Sequence, residues 1–206
     1  MSFEPFNWNV IVAGAWNRAI FTPEWIAKNI FKLESGAAIN IDVPLNFLAP
    51  YRVLHSEIAV LVSSSHLEVA PNSCSYEMLD KAREYARRAI EELPRTPITA
   101  AGFNFRYRCK ELPIEFLEVS NCRIDKIFSD AGLEIVERQV RRSLKCGDGL
   151  INFDFRFDQP ENAVLGLNFH VGSSDDNVLK GWLQMPMNGV KEKVETIINN
   201  LPGVAK

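Results

Sequence analysis

The sequence predicts an α+β protein in which helices cover one face of an antiparallel sheet. Several segments alternate large apolar residues with polar ones, as half-buried strands do. Other segments repeat apolar residues at three- and four-residue intervals, as helices with one buried face do. The order strand, helix, three strands, helix occurs twice along the chain. Helices that each bury one side need a sheet face to cover, and an antiparallel sheet with one solvated face supplies it.

The first part of the chain begins with a short apolar and β-branched run at Asn9–Ala15, which predicts a buried strand. The stretch Thr22-Pro23-Glu24 predicts a helix start, because Thr caps, Pro suits the first turn and Glu is favoured there. We expect this helix to end near Lys32. Three strands then follow, at Ala37–Val43, Val53–Ser63 and Leu67–Ala70.

A long helix and a long strand occupy the middle of the sequence. Ser75 is placed to cap a helix over 76–93, whose inner stripe is rich in alanine, so that the helix can approach a sheet closely. Pro94 ends this helix. In the strand that follows, Ile98–Cys109, the apolar side chains are Phe103, Phe105 and Tyr107, and the polar ones between them are Asn104, Arg106 and Arg108.

The remaining third repeats the same kinds of element. We expect a strand at Ile114–Val119, and then a helix that Ser120 caps and that ends at Ala131, with Ile124, Ile127 and Phe128 on its inner face. A long strand over Leu133–Lys145 and a hairpin turn at Gly147-Asp148-Gly149 should follow. The last elements are two strictly alternating strands and an amphipathic helix, at Leu150–Phe157, Ala163–Val171 and Asn188–Leu201.

The repeated order of elements suggests a tandem duplication, with one half at 1–94 and the other at 95–206, either as two units or as one continuous domain. Weak sequence agreement supports it, since Val10-Ile11-Val12-Ala13-Gly14 parallels Ile98-Thr99-Ala100-Ala101-Gly102. This order resembles the saddle of TATA-binding-type folds. The resemblance implies a continuous antiparallel sheet with helices on one side. No residue motif of that family is present, so it implies no function.

The composition is that of an ordinary globular protein. The chain has 206 residues, of which 47% are hydrophobic and 24% charged, and its formal net charge is -3, which gives no overall attraction to nucleic acid. The apolar run Val10–Trp16 is too short for a membrane span and lacks the flanks of a signal peptide. These features predict a cytoplasmic protein without a membrane partner.

Cysteine usage predicts neither a disulfide framework nor a zinc site. The four cysteines stand singly, without the close pairs that zinc ligands form. We therefore expect free thiols, no structural metal and no cofactor. The cysteines are Cys74, Cys109, Cys122 and Cys146.

The candidate binding residues are the polar side chains of three alternating strands, which should share one face of the sheet. Such a face offers both donors and acceptors, and no catalytic motif accompanies it. The candidates are Asn104, Arg106, Arg108, Asp154, Arg156, Asn168 and His170. The main hypothesis is an interaction or assembly protein, binding a protein partner or forming a homo-oligomer through this face or an apolar patch.

Two further hypotheses use parts of the same surface. A small-molecule binder or enzyme would use a pocket near His170 and Asp154, because a carboxylate on the neighbouring strand could orient a histidine that titrates near neutrality. A nucleic-acid binder would use an arginine-rich face. Its candidate residues are Arg106, Arg108, Arg138, Arg141 and Arg142.

Overall fold

The computed structural model describes residues 2–46, 49–110, 112, 123–157 and 163–204. The strands of this part of the chain form one nine-stranded antiparallel sheet. In chain order they are β1 (Ser2–Gly14), β2 (Asn40–Asp42), β3 (Arg52–His55), β4 (Ile58–Val62), β5 (His66–Pro71), β6 (Ile98–Lys110), β7 (Arg138–Cys146), β8 (Gly149–Phe157) and β9 (Ala163–Gly172). The predicted α+β class and antiparallel sheet are confirmed.

The helices pack on one face of this sheet. α2 contacts β5 and β1, and α4 contacts β6 and β9. The alanine-rich stripe of α2 is fully buried, as expected for a helix that lies close to a sheet. The helices are α1 (Pro23–Trp25, continued by a π-helical turn at Ile26–Ile30), α2 (Tyr76–Glu92), α3 (Arg123–Asp130), α4 (Asp176–Leu183) and α5 (Met187–Asn199).

β1 and β6 lie side by side in the middle of the sheet and pair in antiparallel fashion from Ser2↔Lys110 to Gly14↔Ile98. Outward from β1 come β5, β4, β3 and β2, and outward from β6 come β9, β8 and β7. In both halves the first strand is therefore central and the last strand lies beside it. Among the described residues, four strands lie between the helices of the first half and three between the first two helices of the second, so the duplication is not confirmed, and the two-domain division stays a prediction.

The face beneath the helices is a continuous apolar core. Phe103, Phe105, Phe155 and Phe169 are fully buried, and β1 adds Trp8, Val10 and Val12. The apolar side chains of β6, β8 and β9 thus point into this core, as the alternation predicted. The polar residues of the same strands consequently share the opposite face, because successive side chains of a strand point to opposite sides.

Three elements of the first half differ from the sequence expectations. The predicted single strand Val53–Ser63 is wrong, because a tight turn at Ser56 and Glu57, both in a left-handed conformation, divides it into the antiparallel pair β3 and β4. β1 begins at Ser2 instead of Asn9, and a register irregularity between Pro5 and Asn7 breaks the period of two that would have revealed its first residues. α1 has the predicted Thr22 cap, whose Oγ1 accepts from the Trp25 N–H at 3.2 Å. Its π-helical turn ends at Ile30, and Lys32, two residues further on, has a left-handed conformation.

The second half also differs in three places. The predicted inner face of α3 is exposed, with Ile124 at 54% and Ile127 at 63%, and α3 contacts β7 through the ion pair of Asp125 with Arg138 at 2.9 Å instead of through this apolar face. β7 begins only at Arg138, and α4 occupies a segment that gave no helical expectation. The predicted strand at 114–119 and its Ser120 cap lie outside the described residues.

No helix in the described ranges is long and apolar enough to cross a membrane.

Candidate functional site

All seven predicted binding residues lie on the sheet face opposite the helices. Asn104, Arg106 and Arg108 come from β6, and the others come from β8 and β9. The strand registers place Asn104 opposite Asn168, while Asp154 and Arg106 both lie opposite Gly166. We call this surface the open face. Its central side chains are half-buried and its arginines are exposed.

A row of asparagines crosses the middle of the open face. The Asn168 amide donates to Asn104 Oδ1 at 2.6 Å, and the Asn104 amide donates to Asn9 Oδ1 at 2.7 Å. The Asn9 amide in turn donates to Glu68 Oε1 at 2.7 Å. At the other end, Ser143 Oγ donates to Asn152 Oδ1 at 2.8 Å, and the Asn152 amide reaches Asn168 Oδ1 at 3.4 Å.

These bonds run in one direction across six neighbouring strands. The sheet register brings the side chains into line, because Asn9, Asn104, Asn168, Asn152 and Ser143 are successive partners. Each amide thus donates on one side and accepts on the other, which orients its oxygen and nitrogen. The row forms a rigid polar platform with its remaining amide N–H groups and lone pairs available to a ligand.

The sequence analysis missed part of this row. It included Asn104 and Asn168 but placed Asn9 at the start of a buried strand, and it did not identify Glu68 as a partner. Asn9 is only 8% exposed. The alternation of Asn7 and Asn9 with Trp8 and Val10 was the available signal, and the irregularity before Asn7 shortened it to a few residues.

Asp154 is the centre of a second polar cluster, in which three side chains donate to its carboxylate. Gln139 donates to Oδ1 at 2.6 Å, Arg156 donates to Oδ2 at 3.1 Å, and Arg141 lies 3.5 Å from Oδ2. Partial burial raises the pKa of Asp154, but these hydrogen bonds and the guanidinium charges outweigh it and hold the pKa below its usual value. Asp154 is therefore a fixed anion inside a surplus of positive charge.

An open groove lies beside this cluster, with a volume of about 480 Å³. Gly166 leaves a gap in its floor, because this residue has no side chain and sits between Arg106 and Asp154 in the cross-strand register. Arg106 borders the gap and is exposed, and no described residue accepts a hydrogen bond from it. A second cleft of about 630 Å³ shares Arg106, Asp154 and Gly166 with the first.

His170 does not lie beside Asp154. The register puts it opposite Leu150, whereas Asp154 is opposite Gly166, so the two residues are about 13 Å apart along the strands. His170 Nδ1 instead lies 3.4 Å from the Asn152 amide nitrogen. The acid–base pair that the enzyme hypothesis requires is therefore not formed between these two side chains.

The arginines of the nucleic-acid hypothesis do not share one face. Arg141 is opposite Asp154, so it belongs to the open face with Arg106, whereas Arg138 and Arg142 are opposite Phe157 and Phe153. The alternation of a strand separates them. Arg108 is on the open face and lies over the ring of Phe6, with its guanidinium carbon 4.7 Å from the ring centre.

The groups that metal or thiol chemistry would need are dispersed. Among the described residues no three His, Cys, Asp or Glu side chains are grouped in a way that could hold a metal ion. Cys74, Cys109 and Cys146 are free thiols, and burial raises the pKa of Cys109 to about 11. Cys122 lies outside the described residues. A thiol with so high a pKa is a poor nucleophile near neutral pH.

Comparison with known proteins gives no relative from which a role could be carried over. No protein-family model matches the chain, and no curated protein is significantly similar to it.

Proposed function

We propose that this chain is a cytoplasmic interaction or assembly protein whose open face binds another protein chain, with a second copy of itself as the simplest partner. The observation that carries the proposal is the oriented asparagine row. Asparagine is disfavoured in strands, so four asparagines in register lower the β-propensity of these strands. Thr at the same solvent-facing positions would not lower it. Recognition of a partner's polar groups would explain this choice.

The groove next to the row supports the same proposal. Arginine is enriched at protein interfaces, where its planar group binds carboxylates and carbonyl oxygens, and Arg106 is exposed beside a gap floored by Gly166. Asp154 adds an anion to the same groove. A partner chain carries both kinds of charge together with backbone amides, and so matches this mixture.

Binding is favoured over catalysis because the titratable groups are held apart or already bonded. Asp154 is engaged by three donors, and His170 contacts an amide instead of a carboxylate. The nucleic-acid alternative is less well supported, because the open face also carries Asp154 and Glu68. Carboxylates at such positions repel a phosphate backbone.

The proposal is tested by a charge reversal at Arg106. Light scattering after size exclusion gives the solution mass, and a random peptide display library selected on the wild-type protein supplies ligands for titration. Arg106→Glu should dissociate an assembly, or raise the Kd of selected peptides by about tenfold or more, which equals about 1.4 kcal/mol. Lys28→Glu, an exposed reversal on α1's π-helical turn, is the matched control and should change neither quantity.

A monomeric wild-type protein whose selected peptides bind the Arg106→Glu variant equally well would refute this role for the open face. Because Arg106 is exposed and has no described partner, its replacement should leave the unfolding free energy within about 0.5 kcal/mol. A loss of binding can then be assigned to the surface itself.

A further inference from the structure

Among the described residues, the outer edge of β7 is the long edge of the sheet without a neighbouring strand. β7 is the last strand in the sheet order and has nine residues, whereas β2 at the opposite edge has three. Its residues from Arg141 to Lys145 are all exposed. An edge strand leaves every second backbone N–H and C=O without a partner strand, so it can pair with a further chain.

This edge is strongly basic in a chain whose formal net charge is -3. Arg138, Arg141, Arg142 and Lys145 lie within it, and it contains no acidic residue. Arg138 pairs with Asp125 at 2.9 Å, and Arg141 lies 3.5 Å from Asp154. Among the described residues, no carboxylate pairs with Arg142 or Lys145.

The charges are arranged on both faces of the strand. Arg141 and Lys145 lie on the open face, opposite Asp154 and Leu150 of β8, whereas Arg142 and Leu144 lie on the other face. Leu144 is 41% exposed although it shares the face of the core. A tenth strand beside β7 would therefore meet cations on both faces and the apolar side chains of Val140 and Leu144 on one.

A second copy of β7 does not suit this edge. Antiparallel pairing over the whole strand places Arg142 opposite Arg142, and like charges directly opposite destabilise a strand pair. Cationic side chains also discourage pairing with neutral strands, which is how many proteins protect their edges. The same cations favour an acidic strand, so the edge discriminates between partners by charge.

We propose that the β7 edge binds an extended acidic segment of another protein as a tenth strand of the sheet. Its carboxylates would lie opposite Arg141, Arg142 and Lys145, and its apolar residues opposite Val140 and Leu144. All neighbours in this sheet are antiparallel. In that orientation the segment reads acid, apolar, polar, acid, acid, apolar from its amino end. The edge shares Arg141 and Lys145 with the open face, whereas Arg142 and Leu144 lie on the other face of β7 and Arg106 lies outside the edge.

Short peptides test this proposal directly. The first contains Glu-Val-Thr-Glu-Glu-Val between neutral flanks, the second has Gln in place of each Glu, and the third has Pro in place of Thr. Fluorescence titration should show that the Gln and the Pro peptides each bind at least about tenfold more weakly. The Gln peptide tests the charges, and the Pro peptide keeps the charges but disfavours strand pairing. Hydrogen exchange at β7 amides should slow with the first peptide alone.

A double charge reversal in the protein gives the matched comparison. The double variant Arg142→Glu, Lys145→Glu should bind the acidic peptide at least about tenfold more weakly than the wild type. The double variant Lys28→Glu, Lys193→Glu changes the net charge by the same amount at exposed helix positions and should bind the peptide as the wild type does. Absence of binding, equal binding of the Gln or Pro peptide, or a wild-type dimer that pairs through β7 would overturn the proposal. So would a single-stranded oligonucleotide that displaces the peptide and binds more tightly. Arg106 lies outside the β7 edge, so the Arg106→Glu variant should bind the acidic peptide as the wild type does. Its peptide affinity therefore distinguishes failure of the edge proposal from failure of the proposed open-face function.

Discussion

At the scale of single residues, the open face is organised by side chains whose partners lie on other strands. Asn9 is the buried polar residue of the described chain, and it bonds both Glu68 and Asn104. Removing one member of such a pair costs more than the bond contributes, because the other member keeps its desolvation penalty. The asparagine row is therefore part of the stability of the central strands as well as a candidate recognition surface.

Asp154 should make the stability of the protein depend on pH in acid solution. Its pKa is lowered in the folded state, so the ionised carboxylate contributes stability that is fully present above the unfolded pKa of about 3.9. This contribution is lost as the pH falls through the lower folded value. Relative to Asp154→Asn, the wild-type unfolding free energy should therefore be higher at pH 7, and the difference should shrink below about pH 4.

Urea titrations of both proteins from neutral pH to about pH 3 measure this difference. Because Asp154 is partly exposed, about 1 M salt should reduce the difference at neutral pH. A difference that stays constant with pH would mean that the three donors around Asp154 do not favour its ionised form.

At the scale of elements, the sequence was informative where a period of two or of 3.6 ran through a long element without interruption. The alternation of β8 and β9 and the stripe of α2 gave both the element and its buried face. The predicted β1 was too short because a register irregularity breaks its period. The predicted buried face of α3 was wrong because its short apolar stripe meets no covering element among the described residues, and none of the helix residues is buried.

The candidate site was predicted in its membership but not in its bonding. The seven polar residues could be assigned to one face from alternation alone. Which of them touch depends on the strand register, which brings together residues far apart in the chain, such as Asn9 and Glu68. The register is fixed by tertiary packing, so the separation of His170 from Asp154 could not be read from the sequence.

The close pairing of β6 with β9 makes a specific prediction for two glycines of the open face. A Cβ at Gly102 would lie 2.6 Å from the Phe169 carbonyl oxygen and 2.9 Å from His170 Cβ, whereas a Cβ at Gly166 would be 3.6 Å from its nearest neighbour. Gly102→Ala should thus destabilise the protein by about 1 to 3 kcal/mol, because the backbones must separate. Gly166→Ala should stabilise it by about 0.4 to 1 kcal/mol through lower unfolded-state entropy.

Denaturant titration of both alanine variants checks this prediction, and each variant serves as the control for the other. Equal effects of the two substitutions would show that β6 and β9 can separate at Gly102 without cost. The same Gly166→Ala protein also reports on the groove, because the new methyl group lies in the gap between Arg106 and Asp154.

At the scale of the whole molecule, the two halves of the chain meet along β1 and β6. Both strands are central, and both send their apolar side chains into a single cluster of buried residues, whose members run along the sequence from Trp8 to Val194. If the halves were cut apart, these two strands would become unpaired edges with exposed aromatic side chains. Stability should therefore be shared between residues 1–94 and 95–206.

Cooperative unfolding of both halves is the corresponding prediction. Trp8 contacts Phe105 of the second half, with ring centres 5.0 Å apart, so it is replaced together with Trp182. In a Trp8→Phe, Trp182→Phe background the remaining tryptophans, Trp16 and Trp25, pack against Phe21, so fluorescence reports the first half. Phe155 is fully buried in the second half, and Phe155→Ala should cost about 3 to 5 kcal/mol. If the halves unfold together, this substitution should lower the urea midpoint of the first-half fluorescence by about 1 M or more. An unchanged midpoint, with a separate earlier transition in circular dichroism, would show that the halves are independent domains.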